Sequence, residues 1–208
     1  MPEIDNLASF FLASLLLAAS PGPDIIFVLT QSILQGPKAG LAVMAGLCSG
    51  LVVHTTAVAA GVAAIFHTSP AAYGALRTIG ACYLLYLAWL AFRASAASTE
   101  TSCRKAVPLS RLYGRGIIMN ITNPKVTIFF LAFLPLFAEP ERGPVAYQIV
   151  GLGLLFITAT ILVFGFVALA AGFVGQWLNR TPAAWRIMNI IAGIVFILLA
   201  GGLLLDFG

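Results

Sequence analysis

Charge is what this chain has least of. Asp, Glu, Lys and Arg make up 9% of its 208 residues, against about 25% in a soluble globular domain. Hydrophobic residues make up 61%, so a water-soluble domain is excluded as a class. Cysteine is scarce too: Cys48, Cys82 and Cys103 are too few for a disulfide framework. Only two histidines occur, His54 and His67, and no ligands recur at metal-binding spacing. No metal and no cofactor are expected. A basic signal-peptide n-region is also missing. The chain opens with the acidic "MPEIDN", so the apolar run behind it reads as an uncleaved first helix.

What is present in quantity is apolar length. A membrane-spanning helix needs about 20 mostly apolar residues. Six stretches supply them, at 7–33, 39–66, 70–92, 116–137, 145–177 and 183–205. The sequence therefore predicts an all-α, multi-pass integral membrane protein with lipid as its first partner. A pI near 9.2 would suit a nucleic-acid binder, but the distribution of charge argues against one. Eight of the eleven basic residues (Lys38, Arg93, Arg104, Lys105, Arg111, Arg115, Arg180 and Arg186) fall in alternate loops. Glu3, Asp5, Glu139, Glu141 and Asp206 fall on the other side, with Arg142 as its one clear base. Cytoplasmic loops carry the Lys/Arg excess, which places both termini outside. Arg77, two turns into the third stretch, is expected near the outer face.

A small, polar, basic linker at 94–112 divides the chain into two units of three helices, 1–93 and 113–208. The halves echo one another. Each places a proline beside an ionisable residue in its first helix, Pro23–Asp24 and Pro124–Lys125. Each opens its second helix on Gly-Pro-x-Ala with Gly-Leu at the same spacing. Gly36-Pro37-x-Ala39 with Gly46-Leu47 matches Gly143-Pro144-x-Ala146 with Gly153-Leu154. The third helices match more loosely, "GACYLLYL" from Gly80 and "GIVFILLA" from Gly193. A three-helix unit starts and ends on opposite sides, so its copy is inserted upside down. Inverted repeats of this kind build transporters with a binding site near the midplane.

The prolines break the first and fourth helices where lipid tolerates a break least. Pro21 and Pro23 lack N–H donors, with Gly22 between them adding backbone freedom. Pro124 does the same after Asn120, Thr122 and Asn123. Freed backbone groups must then face protein or a water-filled cavity. A new half-helix starting near Asp24 or Lys125 would present an amide-rich end suited to a carboxylate. An ionisable residue at that depth costs about 2.5–3.5 kcal/mol or more. Two accounts of Asp24 and Lys125 follow. Either they pair and hold two kinks together, or they line a cavity and meet a zwitterion or carry a proton.

Other polar residues carry weaker signals. His54, Thr55 and Thr56 are expected to line the cavity or to pack and bond between helices. His54 reads first as a packed or helix-bridging residue, although an imidazole's titration range would suit a proton relay. Asn189 is a similar case. Gly46, Gly50, Gly61, Gly80, Gly151 and Gly193 read as close helix packing. Tyr83, Tyr86, Trp89, Trp177 and Trp185 read as interface belts and packing.

"SPGPD", "GPKAG" and "NITNPK", in this order and spacing over essentially the whole chain, resemble the LysE/RhtB family of bacterial amino-acid exporters. The resemblance implies a protein of the bacterial cytoplasmic membrane that exports amino acids or close derivatives, driven by protons. The motif residues are Ser20, Pro21, Gly22, Pro23 and Asp24, then Asn123, Pro124 and Lys125. Asn120 and His54 join them as candidates from the residue reading. Many members have asparagine where Asp24 stands, and the aspartate is closer to the threonine and homoserine exporter variant. Together with the lack of a second intramembrane carboxylate, it points to small neutral substrates. The expected mechanism is alternating access, with the substrate ammonium near Asp24 and its carboxylate near Lys125. A homo-oligomer stays open.

Three other classes compete. A passive channel should show a continuous polar lining, whereas here polar residues gather at two breaks. An exporter of another small metabolite fits the same layout. An intramembrane enzyme would need a nucleophile–base contact, but Ser49 and His54 lie about 140° apart around one helix. Glu100 and Asp24 do not suggest a carboxylate pair.

Overall fold

The structure, a computed structural model, describes residues 2, 4–68, 70–93, 106–171 and 182–205. Glu3, Glu100, Cys103, Arg104, Lys105, Trp177, Arg180 and Asp206 lie outside the described residues, as do the side chains of Asp5, His67, Arg77 and Trp185. Every described element is helical: α1 (Ile4–Ala19), α2 (Pro23–Gln35), α3 (Pro37–Thr68), α4 (Pro70–Arg93), α5 (Leu109–Ile121), α6 (Pro124–Ile128), α7 (Val145–Leu169) and α8 (Pro182–Leu205). Helix α6 runs on through a π turn, Phe129–Phe133, and a 3₁₀ turn, Leu134–Phe137. Proline sets most of the starts. It is the first residue of α2, α3, α4, α6 and α8 and immediately precedes α5 and α7. Its missing N–H costs nothing there, and its fixed φ suits a helix.

Within the described residues, α3 and α7 are long and apolar enough to cross a membrane. Two bent pairs raise the number to four: α1 with α2 at 58°, and α5 with the segment from Pro124 to Phe137 at 51°. Outward-facing side chains suit hydrocarbon rather than water. Val52, Leu162, Phe166, Ile194 and Leu198 are all exposed, more apolar surface than a soluble monomer shows.

The two ends of the bundle can be told apart by their contacts. At one end Asn6 Nδ2 donates to Glu139 Oε1 at 2.6 Å. Gln148 ties the same turn together by donating to the carbonyls of Glu139 and Gly143. At the other end the Val107 N–H donates to Gln35 Oε1 at 2.6 Å, and Gln35 in turn holds Gln31. The start of α1 thus shares an end with the 138–143 turn, and the Gly36 turn shares the opposite end with the segment ahead of α5.

Helix α3 is central and packs on α2, α5 and α7; α7 also covers α1, and α4 lies along α8. Exchanging the halves turns the α3–α5 contact into α7–α1 and leaves α3–α7 and α4–α8 as they are. The two described residues with positive φ, Gly36 at 85° and Gly143 at 124°, are also equivalent under that exchange. Glycine is required there because a side chain is strained at such φ.

Glycine also sets how closely α3 and α5 approach. A Cβ on Gly46 would collide with the Tyr113 carbonyl, and one on Gly116 with the Val43 carbonyl. Gly46→Ala is therefore expected to lower the folded yield and the thermal midpoint, since overpacking costs about 1–3 kcal/mol. A melt that matches wild type would show that the two helices do not cross this closely.

Two boundaries differ from the sequence expectation. Helix α5 begins at Leu109, inside the expected linker and seven residues before the expected fourth stretch. Arg111 and Arg115 lie on its exposed face while Leu112 and Gly116 are buried, so an amphipathic turn has the composition of a linker. Helix α7 ends at Leu169 rather than at 177. Its run of apolar residues carries no polar residue to mark the end.

Candidate functional site

The first break follows from two missing donors. In an α-helix each carbonyl accepts from the N–H four residues ahead, so Pro21 orphans the carbonyl of Leu17 and Pro23 that of Ala19. The ladder of α1 ends with the Ser20 N–H on the Leu16 carbonyl at 2.9 Å. Gly22 is extended, with φ −170° and ψ 175°, and α2 restarts with the Ile26 N–H on the Gly22 carbonyl at 3.1 Å. Any residue adopts that extended backbone, so the freedom expected of Gly22 is not what the break uses. A Cβ there would stand 3.8 Å from Lys125 Nζ. Asp24 is buried in the first turn of α2, where the amide end of the helix favours a carboxylate.

The second break repeats the chemistry. Pro124 orphans the carbonyl of Asn120, which instead accepts from the Asn123 N–H at 3.1 Å and from His54 Nε2 at 3.3 Å. A carbonyl only accepts, so Nε2 carries the proton. The His54 ring also lies against Phe130, with centroids 5.6 Å apart. Asn123 caps α6, its Oδ1 accepting from the Lys125 N–H at 3.0 Å. A side-chain cap of this kind contributes about 1 kcal/mol.

The breaks then serve each other. Lys125 Nζ crosses to α1 and donates to the orphaned Leu17 carbonyl at 3.1 Å and to the Ser20 carbonyl at 3.4 Å. An ammonium at the carbonyl end of a helix is favourably placed. Asn123 Nδ2 donates to Asp24 Oδ2 at 2.9 Å. Among the described residues no ion pair joins Asp24 to Lys125. Asn123 links them instead, one end of its amide on the carboxylate and the other on the lysine backbone. Asp24 Oδ1 is buried and has no hydrogen-bond partner. Such an acceptor costs about 1–3 kcal/mol when left unmet, and more when charged.

These groups face one cavity, whose empty space together with its open mouth is about 420 Å³. Of the residues expected at the site, Ser20, Gly22, Pro23, Asp24, Asn120, Asn123 and Lys125 line it. Pro21 and Pro124 shape it without lining it, and His54 stands behind Asn120. Thr55 and Thr56 bond their own helix, at the Leu51 and Val52 carbonyls, both at 2.8 Å. Ser49 binds Tyr113 Oη at 2.8 Å and the Ala45 carbonyl, not His54. Apolar walls come from Leu17, Ala18, Ile25, Leu51 and Val126.

A third wall is absent from the sequence expectation. Phe156, Thr160 and Phe164 of α7 line the cavity. Their spacing of four is the signal, submerged in a helix that is apolar on every side.

A family model described as a LysE-type translocator matches residues 15–206. A homoserine/homoserine lactone efflux protein of Salmonella typhimurium is 32% identical over 196 residues, 94% of each chain. A leucine efflux protein of Salmonella choleraesuis is 27% identical over 196 residues, 92% of this chain and 91% of its own. An uncharacterized membrane protein of Vibrio cholerae is 29% identical over 195 residues, 93% of this chain and 94% of its own. No solved structure matches. With the family model covering nearly the whole chain and both proline breaks, the chain belongs to the LysE-type translocator family.

Proposed function

We propose that the protein exports small neutral amino acids of the homoserine or threonine kind across the bacterial inner membrane, by proton antiport and alternating access. One observation carries the reading: a carboxylate oxygen without a hydrogen-bond partner and an ammonium line one cavity without forming an ion pair with each other. A zwitterion supplies the missing halves. Its ammonium meets Asp24 Oδ1. Its carboxylate meets the third N–H of Lys125, the other two being held by carbonyls. The names of the relatives, efflux proteins for homoserine and leucine, support the amino-acid class. They also favour a transporter over an enzyme.

Asp24 is the coupling group in this reading. Its protonation releases the substrate ammonium outward, and its deprotonation inward delivers the proton. The six-span, inverted-repeat layout is part of the proposal, with units 1–93 and 109–208 and both termini outside. It is supported by the matched positive-φ glycines, the matched proline breaks and the contacts that survive exchange of the halves. The loop charges support the orientation.

The test is an excretion panel. Cells lacking background exporters, with and without the protein, are loaded with dipeptides, and each amino acid released is quantified over time. Selective, saturable release of small neutral amino acids that responds to the proton gradient is expected. Unsaturable flux with no response to protons would replace the antiporter with a channel. No difference across the panel would sink the amino-acid reading.

A further inference from the structure

We infer that Thr160 selects among substrates by accepting a hydrogen bond from a side-chain hydroxyl; the inference rests on the export reading above. The ammonium and carboxylate anchors come from the two breaks, which leaves α7 as the wall that meets the substrate side chain. Phe156, Thr160 and Phe164 recur every four residues, so they share one face of α7, and all three are buried. Two phenyl rings thus flank a single hydroxyl.

The chemistry of that hydroxyl is restricted. Thr160 Oγ1 donates to the Phe156 carbonyl at 2.9 Å. Its proton is committed, so to a ligand the hydroxyl oxygen offers lone pairs only. A ligand hydroxyl has a proton to give it, whereas a methyl group in the same place has none. Other hydroxyls that bond their own helices do not meet the cavity. Thr56, Thr78 and Thr158 are exposed. Ser32 and Thr55 are buried against Gly40 and Gly153. Among the described residues, Thr160 alone combines such a bond with a place in the cavity wall. A hydroxyl carried against an apolar wall must find a partner or lose its hydration uncompensated, and on the α7 wall Thr160 supplies one, between Phe156 and Phe164.

The test uses full-length protein in proteoliposomes loaded with equal homoserine and norvaline, the pair in which a methyl replaces the hydroxyl. Wild type is expected to release homoserine about tenfold faster, the ratio that one net hydrogen bond supports. Thr160→Val should bring the ratio to within about twofold of unity, and Thr160→Ser, which keeps the acceptor, should hold the preference. A Thr160→Val ratio equal to wild type overturns the assignment while leaving export intact. Equal release of both compounds by wild type does the same. If wild type releases neither compound, the export reading falls and this inference falls with it. Thr160→Ala guards against a folding artefact. Should neither it nor Thr160→Val accumulate as folded protein while Thr160→Ser does, the hydroxyl is structural and the assignment is wrong.

Discussion

Asp24→Asn is expected to reduce export at least about thirtyfold in a protein that folds as well as wild type. The fold survives because asparagine keeps one carbonyl oxygen, which takes over the bond from Asn123 Nδ2. Function is lost because the amide nitrogen then occupies the place of Oδ1, the buried oxygen without a partner. An acceptor that would meet an ammonium becomes a donor that repels it. Truncating one member of a buried, hydrogen-bonded charge pair costs about 2–5 kcal/mol, and the lower figure already corresponds to thirtyfold. The same variant removes the coupling carboxylate, so any residual export should no longer depend on external pH. Efflux from preloaded cells across a range of external pH measures both effects. Export at the wild-type rate with unchanged pH dependence would remove Asp24 from binding and coupling alike. Loss of net efflux with substrate-for-substrate exchange preserved would assign it to coupling alone.

The backbone of this site is legible in the sequence because proline acts at a fixed distance. Pro21 and Pro124 name the carbonyls they orphan, Leu17 and Asn120, by counting back four residues. Intramembrane charges beside them mark where the gap is filled. The direction of filling is not legible. Lys125 sits in the first turn of α6, where the sequence predicts either a pair with Asp24 or a place lining the cavity. Its four-carbon stem lines the cavity and also reaches the far side of the other break. Side-chain reach across 108 residues of sequence depends on how α1 and α6 dock, and no local pattern encodes it. Asn123 reads as one member of a motif and proves to be the link between the charges. The α7 wall is hidden for a different reason. Periodicity identifies a face only by contrast, and a helix that is apolar all round offers none. The early start of α5 is masked by the opposite effect, since Arg111 and Arg115 on an exposed face make a helical turn resemble a charged loop.

Lys125→Met is expected to do more damage than Asp24→Asn, in two separable ways. Export should fall to background, because the ammonium that meets the substrate carboxylate is gone. Folded yield and thermal midpoint should fall as well, because the carbonyls of Leu17 and Ser20 lose their donor. A buried acceptor left unmet costs about 1–3 kcal/mol. The two effects come apart in a double variant. Pro21→Ala restores an N–H four residues ahead of Leu17, so the orphaned carbonyl can be satisfied within its own helix. Pro21→Ala/Lys125→Met should therefore recover much of the thermal midpoint lost by Lys125→Met, while export stays at background. Lys125→Arg should recover stability with only part of the export, since a planar guanidinium meets the carbonyls but fills space beside Gly22 that the compact ammonium leaves open. If the double variant melts no higher than Lys125→Met, the lysine does not stabilise the protein by serving the carbonyl that Pro21 frees. If the double variant exports, Lys125 is a brace for the broken helix and the substrate carboxylate is bound elsewhere.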